Sequence, residues 1–330
     1  MHVPYLEHAK RHPMRFPRHH IKTRVPLKQF RCAEPLAPGA RVALIAPAGP
    51  LQKPDDLPRA QENARSLGWE PMVGAHATER LGYLAGHDRD RLNDLNRALR
   101  DPKMDGIWCL RGGYGLTRII ESVDYEALSR MPKVIIGFSD VTALHAAIQT
   151  RCRLVTFHGP HAREPLTDFS RDSFQRAINR QVDSCGTAPL SREINGGSAS
   201  GRLVGGNLSV LSSLAGTPFA PDFTDSILIL EDINEPVYRI DRMLHQLKLT
   251  GTLGGCRGIA FGECTRCPED AGGGGRRLDE VLGELAHSLG IPCLAGIPVG
   301  HIADQWTIPL GAIATLDTGA RSLTVTSYIG

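Results

Sequence analysis

The sequence predicts an α/β fold, with a mostly parallel sheet flanked by helices in the amino-terminal half and a second unit with its own β-structure behind it. Three observations carry this. Apolar, strand-like runs alternate with helical patterns from Arg41 to Ile148, Gly-rich turns stand at strand ends, and the alternation fades between about Glu164 and Gly201 before resuming.

The first strand is "RVALIAPAGP" (Arg41 to Pro50), an apolar run closed by a Pro/Gly turn. "QENARSLGWEPMV" continues as helix, Gly stop and second strand. In "DRDRLNDLNRALRDP" (Asp88 to Pro102), Leu92, Leu95 and Leu99 mark one helical face. The strand "DGIWCL", the turn "RGGYG", a helix "LTRIIESV" and the strand "KVIIG" follow. In open parallel sheets ligands bind at the carboxyl ends of strands, which is where both Gly-rich turns fall.

These patterns divide the chain into a basic extension (1–37), an α/β domain (38–163), a polar linker (164–200) and a second domain (201–330). The second domain holds "GRLVGGNLSVLSSLAGTP", the strand "SILILED", the helix "PVYRIDRMLHQLKLTG", the strand "GIAFGE", a helix near "LDEVLGELAHSLG" and a strand-rich end. "AGGGGRRL" (Ala271 to Leu278) reads as a loop, and neither repeats nor coiled-coil heptads are present.

Composition narrows the function. Met1 to Arg31 carries eight Lys and Arg against Glu7, a surplus of seven, so the overall charge of +3 leaves the remainder four negative and offers no electrostatic case for nucleic acid. The arm reads as a disordered tail, as sequence upstream of a true start at Met14 or later, or as a targeting segment. No apolar run is long enough for a signal-peptide core or a membrane span, so a cytoplasmic location is the expectation. The eight cysteines are scattered, which predicts reduced thiols, and Cys264-Thr-Arg-Cys267 is a lone CxxC without the second pair of a zinc site.

Three constellations can carry chemistry. Ser139, in "KVIIGFSDVTALHAAI", stands between a strand and a helix, where a serine is a preferred helix cap but also where a nucleophile elbow exposes its hydroxyl. Val141 occupies the place of the second Gly of G-x-S-x-G, so that motif is not met. "RGGYG" (Arg111 to Gly115) lets backbone N–H groups approach a phosphate or an oxyanion, or is plain turn chemistry. The third is the pair "LEDINEP" and "PVGHIADQWTIPLG". Glu231 ends an apolar strand and needs a partner, Glu231, Asp232 and Glu235 could instead hold magnesium or begin a helix, and His301 sits in a Gly-His turn. Together the three supply a hydroxyl, a base, a carboxylate to orient it and oxyanion donors.

The chain resembles the LD-carboxypeptidase family of serine peptidases (muramoyltetrapeptide carboxypeptidases, with the microcin C self-immunity peptidases) from about Arg41 to Asp317. "ALIAPAGP", "GYLAGHDRDRLNDLNRAL", "RGGYG", "IIGFSDVTALHAAI", "TFHGP", "GRLVGGNLSVLSSLAGTP", "LILEDINEPVYRIDRMLHQL" and "IPVGHIADQWTIPLGAIATLD" carry the likeness. The resemblance implies a flavodoxin-like, class I amidotransferase-like first domain and a second domain with a barrel-like, swivelling β-structure and helices, the site lying between them in a homodimer. It implies Ser139 as nucleophile, Glu231 as charge-relay carboxylate and His301 as base, with the N–H groups of Gly113 and Asp140 as oxyanion donors and no metal or organic cofactor. The implied reaction removes a terminal D-alanine from an L-configured diamino acid in a murein tetrapeptide during peptidoglycan recycling, with Arg111 as the expected partner of the terminal carboxylate. Two alternatives remain: hydrolysis of a peptidyl-nucleotide, with Trp306 as a stacking surface, and a non-catalytic binder on the same fold.

Overall fold

The computed structural model describes residues 29–269 and 275–329. Most of the basic arm and the start of the expected loop at Ala271 lie outside them. Thirteen strands are β1 (Arg41–Ile45), β2 (Glu70–Val73), β3 (Gly106–Cys109), β4 (Val134–Gly137), β5 (Thr156–His158), β6 (Arg192–Asn195), β7 (Ser198–Asn207), β8 (Ser226–Ile233), β9 (Gly258–Thr265), β10 (Cys293–Ala295), β11 (Ile308–Leu310), β12 (Ile313–Asp317) and β13 (Ser322–Ser327). Eight α-helices accompany them: α1 (Asp56–Ser66), α2 (Asp88–Arg100), α3 (Tyr125–Arg130), α4 (Thr142–Cys152), α5 (Asp168–Ile178), α6 (Leu208–Leu214), α7 (Val237–Leu249) and α8 (Leu278–Leu289).

The first sheet runs β2-β1-β3-β4-β5, all parallel, which is the flavodoxin-like order, with β11 added antiparallel at the edge. Its strands are short, β-branched and buried on both faces. Val42, Leu44, Trp108 and Ile136 face α1 and α5, while Ala43, Ile45, Ile107 and Ile135 face α2 and α4. The segment "LTRIIESV" forms two 3-10 turns, Leu116–Arg118 and Ile120–Ser122, where a helix is expected. Gly115 at φ 136° sets their entry.

The second sheet has the order β13-β12-β7-β8-β9-β10-β6, its centre β7 to β10 parallel and its edges antiparallel. Leu228, Leu230 and Phe261 pack on Ile240, Leu244 and Leu285 from α7 and α8.

Residues 164–200 are not a linker. They contain α5, β6 and the start of β7, and α5 buries Phe174 5.0 Å from Trp108 in the first core. The chain also returns from the second sheet to the first through β11, so the two units share residues of both halves of the sequence. Their junction is α4, buried along most of its length. Thr142, its first residue, accepts a hydrogen bond from the Asn207 N–H at 2.9 Å. Gly206 permits this approach, since a Cβ there would lie 2.5 Å from Thr142 Oγ1.

Candidate active site

Ser139 follows the carboxyl end of β4. The chain leaves Gly137, crosses Phe138 in extended conformation and enters Ser139 at φ 60°. That left-handed conformation costs a residue with a side chain about 1–2 kcal/mol, and such strain clusters at functional turns. Ser139 opens a single 3-10 turn, and α4 begins only at Thr142 with no side-chain cap. Ser139 is therefore not a helix cap. Its hydroxyl makes no hydrogen bond among the described residues and lines a cleft of about 850 Å³.

The turn is fitted to "RGGYG". A Cβ on Gly112 would lie 2.8 Å from the Ser139 Cβ, 3.0 Å from its Oγ and 3.3 Å from the Asp140 nitrogen, so only glycine lets the loop come this close. The Asp140 carboxylate, 4% exposed, accepts the Leu116 N–H at 2.9 Å and ties turn to loop. Burial pushes its pKa up to about 6, against the opposing pull of the Leu116 N–H and Arg91. The N–H groups of Gly113 and Asp140 donate to no acceptor among the described residues, and both residues line the same cleft as Ser139.

Glu231 lies on β8 opposite a register shift in which β9 carries the extra residue, Leu230 pairing with Phe261 and Asp232 with Cys264. Glu231 and its neighbour Asp232 are both buried. Glu231 Oε2 lies 2.8 Å from His301 Nδ1, while its Oε1 has no partner among the described residues. Gly300, at φ 123°, makes room: a Cβ would sit 3.1 Å from Glu231 Oε2. Burial lowers the His301 pKa, but the Glu231 bond and charge, with Glu164 and Asp232, outweigh it and hold the imidazole above its ordinary value. A carboxylate on Nδ1 fixes the tautomer and leaves Nε2 free to take a proton.

His301 packs on Phe138, the residue that precedes Ser139. The His301 ring centroid is 4.8 Å from that of Phe138, whose peptide carbonyl precedes Ser139. No hydrogen bond joins His301 to Ser139 Oγ among the described residues, and such contacts often tighten only when substrate binds. The His301 loop is pinned from α5, where Ser170 Oγ donates to the Ala303 carbonyl and Ser173 Oγ accepts from the Thr307 N–H.

Other expectations fare differently. Asp232 accepts hydrogen bonds from Asn207, from Ser209 twice and from its neighbour's N–H, so Glu231, Asp232 and Glu235 do not converge on a cation. Trp306 is 4% exposed and belongs to the core, so it offers no stacking face. The aromatic ring exposed at the cleft is Tyr114, packed 5.7 Å from Tyr83. Arg111 donates to the Pro50 carbonyl at 2.8 Å and does not line the cleft. The Cys267 thiol donates to the Thr265 carbonyl at 3.6 Å, and Cys264 and Cys267 are both free cysteines. Among the described residues only His76, Glu79 and Asp90 bring three potential ligand atoms together, and they lie outside the cleft. Sequence reasoning missed Asp232's anchoring to Asn207 and Ser209 and the seating of the His161–Glu164 pair under Phe138, because both join segments more than twenty residues apart.

Residues 42–159 match the LD-carboxypeptidase N-terminal domain and residues 200–316 its C-terminal domain. The murein tetrapeptide carboxypeptidase of Pseudomonas aeruginosa is 35% identical over 292 residues, spanning 84% of this chain and 93% of that protein. The crystal structure of muramoyltetrapeptide carboxypeptidase from Oxalobacter formigenes is 30% identical with a TM-score of 0.73, covering 87% of this chain and 98% of that one. MccF in complex with glutamyl sulfamoyl guanosine is 26% identical with a TM-score of 0.81, covering 89% and 98%. The chain belongs to the LD-carboxypeptidase family of serine peptidases and is a hydrolase.

Proposed function

We propose that the protein removes the terminal D-alanine of murein tetrapeptides in peptidoglycan recycling, with Ser139 as nucleophile. His301 takes the Ser139 proton as the hydroxyl attacks the carbonyl, Glu231 orients and stabilises the imidazolium, and the N–H groups of Gly113 and Asp140 receive the oxyanion. The imidazolium then protonates the leaving amine, and water attacks the acyl-enzyme by the same route. The observation that carries this reading is the left-handed turn presenting Ser139 to the cleft while the Glu231–His301 pair packs on the preceding residue.

The cleft supports a peptide as substrate. Its described lining includes Glu121, Asp232 and Glu235 but no Lys or Arg. That field suits the ammonium of a diamino acid. The competing peptidyl-nucleotide reading would place the base on Tyr114. Offering both compounds at equal concentration separates the two: faster turnover of the tetrapeptide is expected, and selective turnover of the nucleotide conjugate would replace the proposal. The same reading carries a homodimer, tested by light scattering, and a cytoplasmic location, tested by cell fractionation.

A further inference from the structure

A second carboxylate–histidine pair lies under the Ser139 turn, outside the residues assigned above. His161 is almost wholly buried, 3% exposed at its side chain, and Glu164 is 23% exposed. His161 Nε2 lies 3.1 Å from the Phe138 carbonyl, and its Nδ1 lies 3.1 Å from Glu164 Oε1. Both ring nitrogens thus face oxygen atoms, the Phe138 carbonyl on one side and the Glu164 carboxylate on the other. The His161 and Phe138 rings pack with centroids 4.3 Å apart, while His301 contacts the same phenyl ring.

The base of this pair is rigid. The Ala162 N–H donates to the Cys109 carbonyl on β3, and the Asn63 amide on α1 donates to the carbonyls of Ala162 and Glu164, at 2.8 Å each. Burial raises the Glu164 pKa, but the His161 bond and charge, with Arg163 and His301, outweigh it and keep the carboxyl below its ordinary value, so it acts as acceptor. The remaining titratable groups facing His161 are His145 and His158, both buried and both held below the ordinary histidine value by burial.

The Phe138 carbonyl belongs to the peptide whose plane sets the φ of Ser139. We propose that His161, oriented by Glu164, is a positioning residue that holds this peptide and so keeps Ser139 in its left-handed, attacking conformation. The proposal rests on Ser139 being the nucleophile. It requires a donor at the place of Nε2, whereas a packing role requires only volume.

The test is the labelling rate of Ser139 by a fluorophosphonate probe, mapped by peptide mass spectrometry, in the full chain. His161→Gln places an amide N–H near Nε2, His161→Asn places one near Nδ1, and His161→Leu fills the space without a donor. The expected rates are within threefold of wild type for Gln and at least tenfold lower for Asn and Leu, with all variants folded by circular dichroism. Leu labelling as fast as wild type, or Gln as slow as Leu, overturns the proposal while leaving Ser139 as nucleophile. Wild type labelled elsewhere, or not at all, overturns the nucleophile assignment and the proposal with it.

Discussion

His301 Nδ1 stands 2.8 Å from Oε2 of Glu231, a carboxylate with no exposure to solvent. The contact joins β8 to the turn after β10, and it is the only hydrogen bond that either side chain makes among the described residues. Removing one partner therefore leaves the other unsatisfied.

His301→Ala should destabilise the fold by roughly 3–5 kcal/mol, the range for stripping one partner from a buried pair. Adding Glu231→Gln should recover part of that loss by removing the stranded carboxylate. Urea titrations of the two variants check the order. A double variant less stable than His301→Ala would show that Glu231 has another partner.

The raised His301 pKa has opposite consequences for activity and stability. As a base it must be neutral, so kcat/KM should rise with pH through a limb above about 6.5, the ordinary histidine value. The pairing's contribution to stability is fully present below that value and fades as pH rises through the folded one. A pH–rate profile of Glu231→Gln should show the limb moved to lower pH and a rate lowered by about 10³–10⁴-fold.

Asp140 supplies a second pH signature. Its pKa rises to about 6 on folding, so the native state binds the extra proton between the two values. Stability should fall by about 2 kcal/mol as pH rises from 4 to 6 if this group acts alone. Asp140→Asn should abolish that slope, measured by thermal melts across the range.

Gly112→Ala should cut kcat by about 10²-fold or more through misplacement of the hydroxyl, since the methyl would press on Ser139 and the Asp140 N–H. Far-ultraviolet circular dichroism should remain unchanged. Full activity in the alanine variant would mean that the loop can retreat without cost.

The strands of the first sheet were legible because "VALI", "GIWC" and "VIIG" are compact apolar runs bounded by turns. Ser139, Glu231 and His301 stood out in the sequence with several readings each, and their joint role as a triad came only from the family resemblance. The Glu231–His301 contact depends on a bulge in β9 opposite Glu231, on Gly300 and on the return of β11 to the first sheet, none of which has a local periodicity. The cap reading of Ser139 failed because hydrophobic spacing does not reveal a positive φ. Helix α5 hid in a polar segment, yet Phe174, Ala177 and Ile178 recur on one face. Trp306 looked available because the sequence does not show which strands cover it.

The most direct measurement of the central claim is the alanine released from an L,D-tetrapeptide and from its all-L counterpart by wild type and by Ser139→Ala. The account predicts turnover of the L,D-peptide alone, and its loss in the alanine variant. Turnover of neither peptide, or undiminished release by Ser139→Ala, would contradict it.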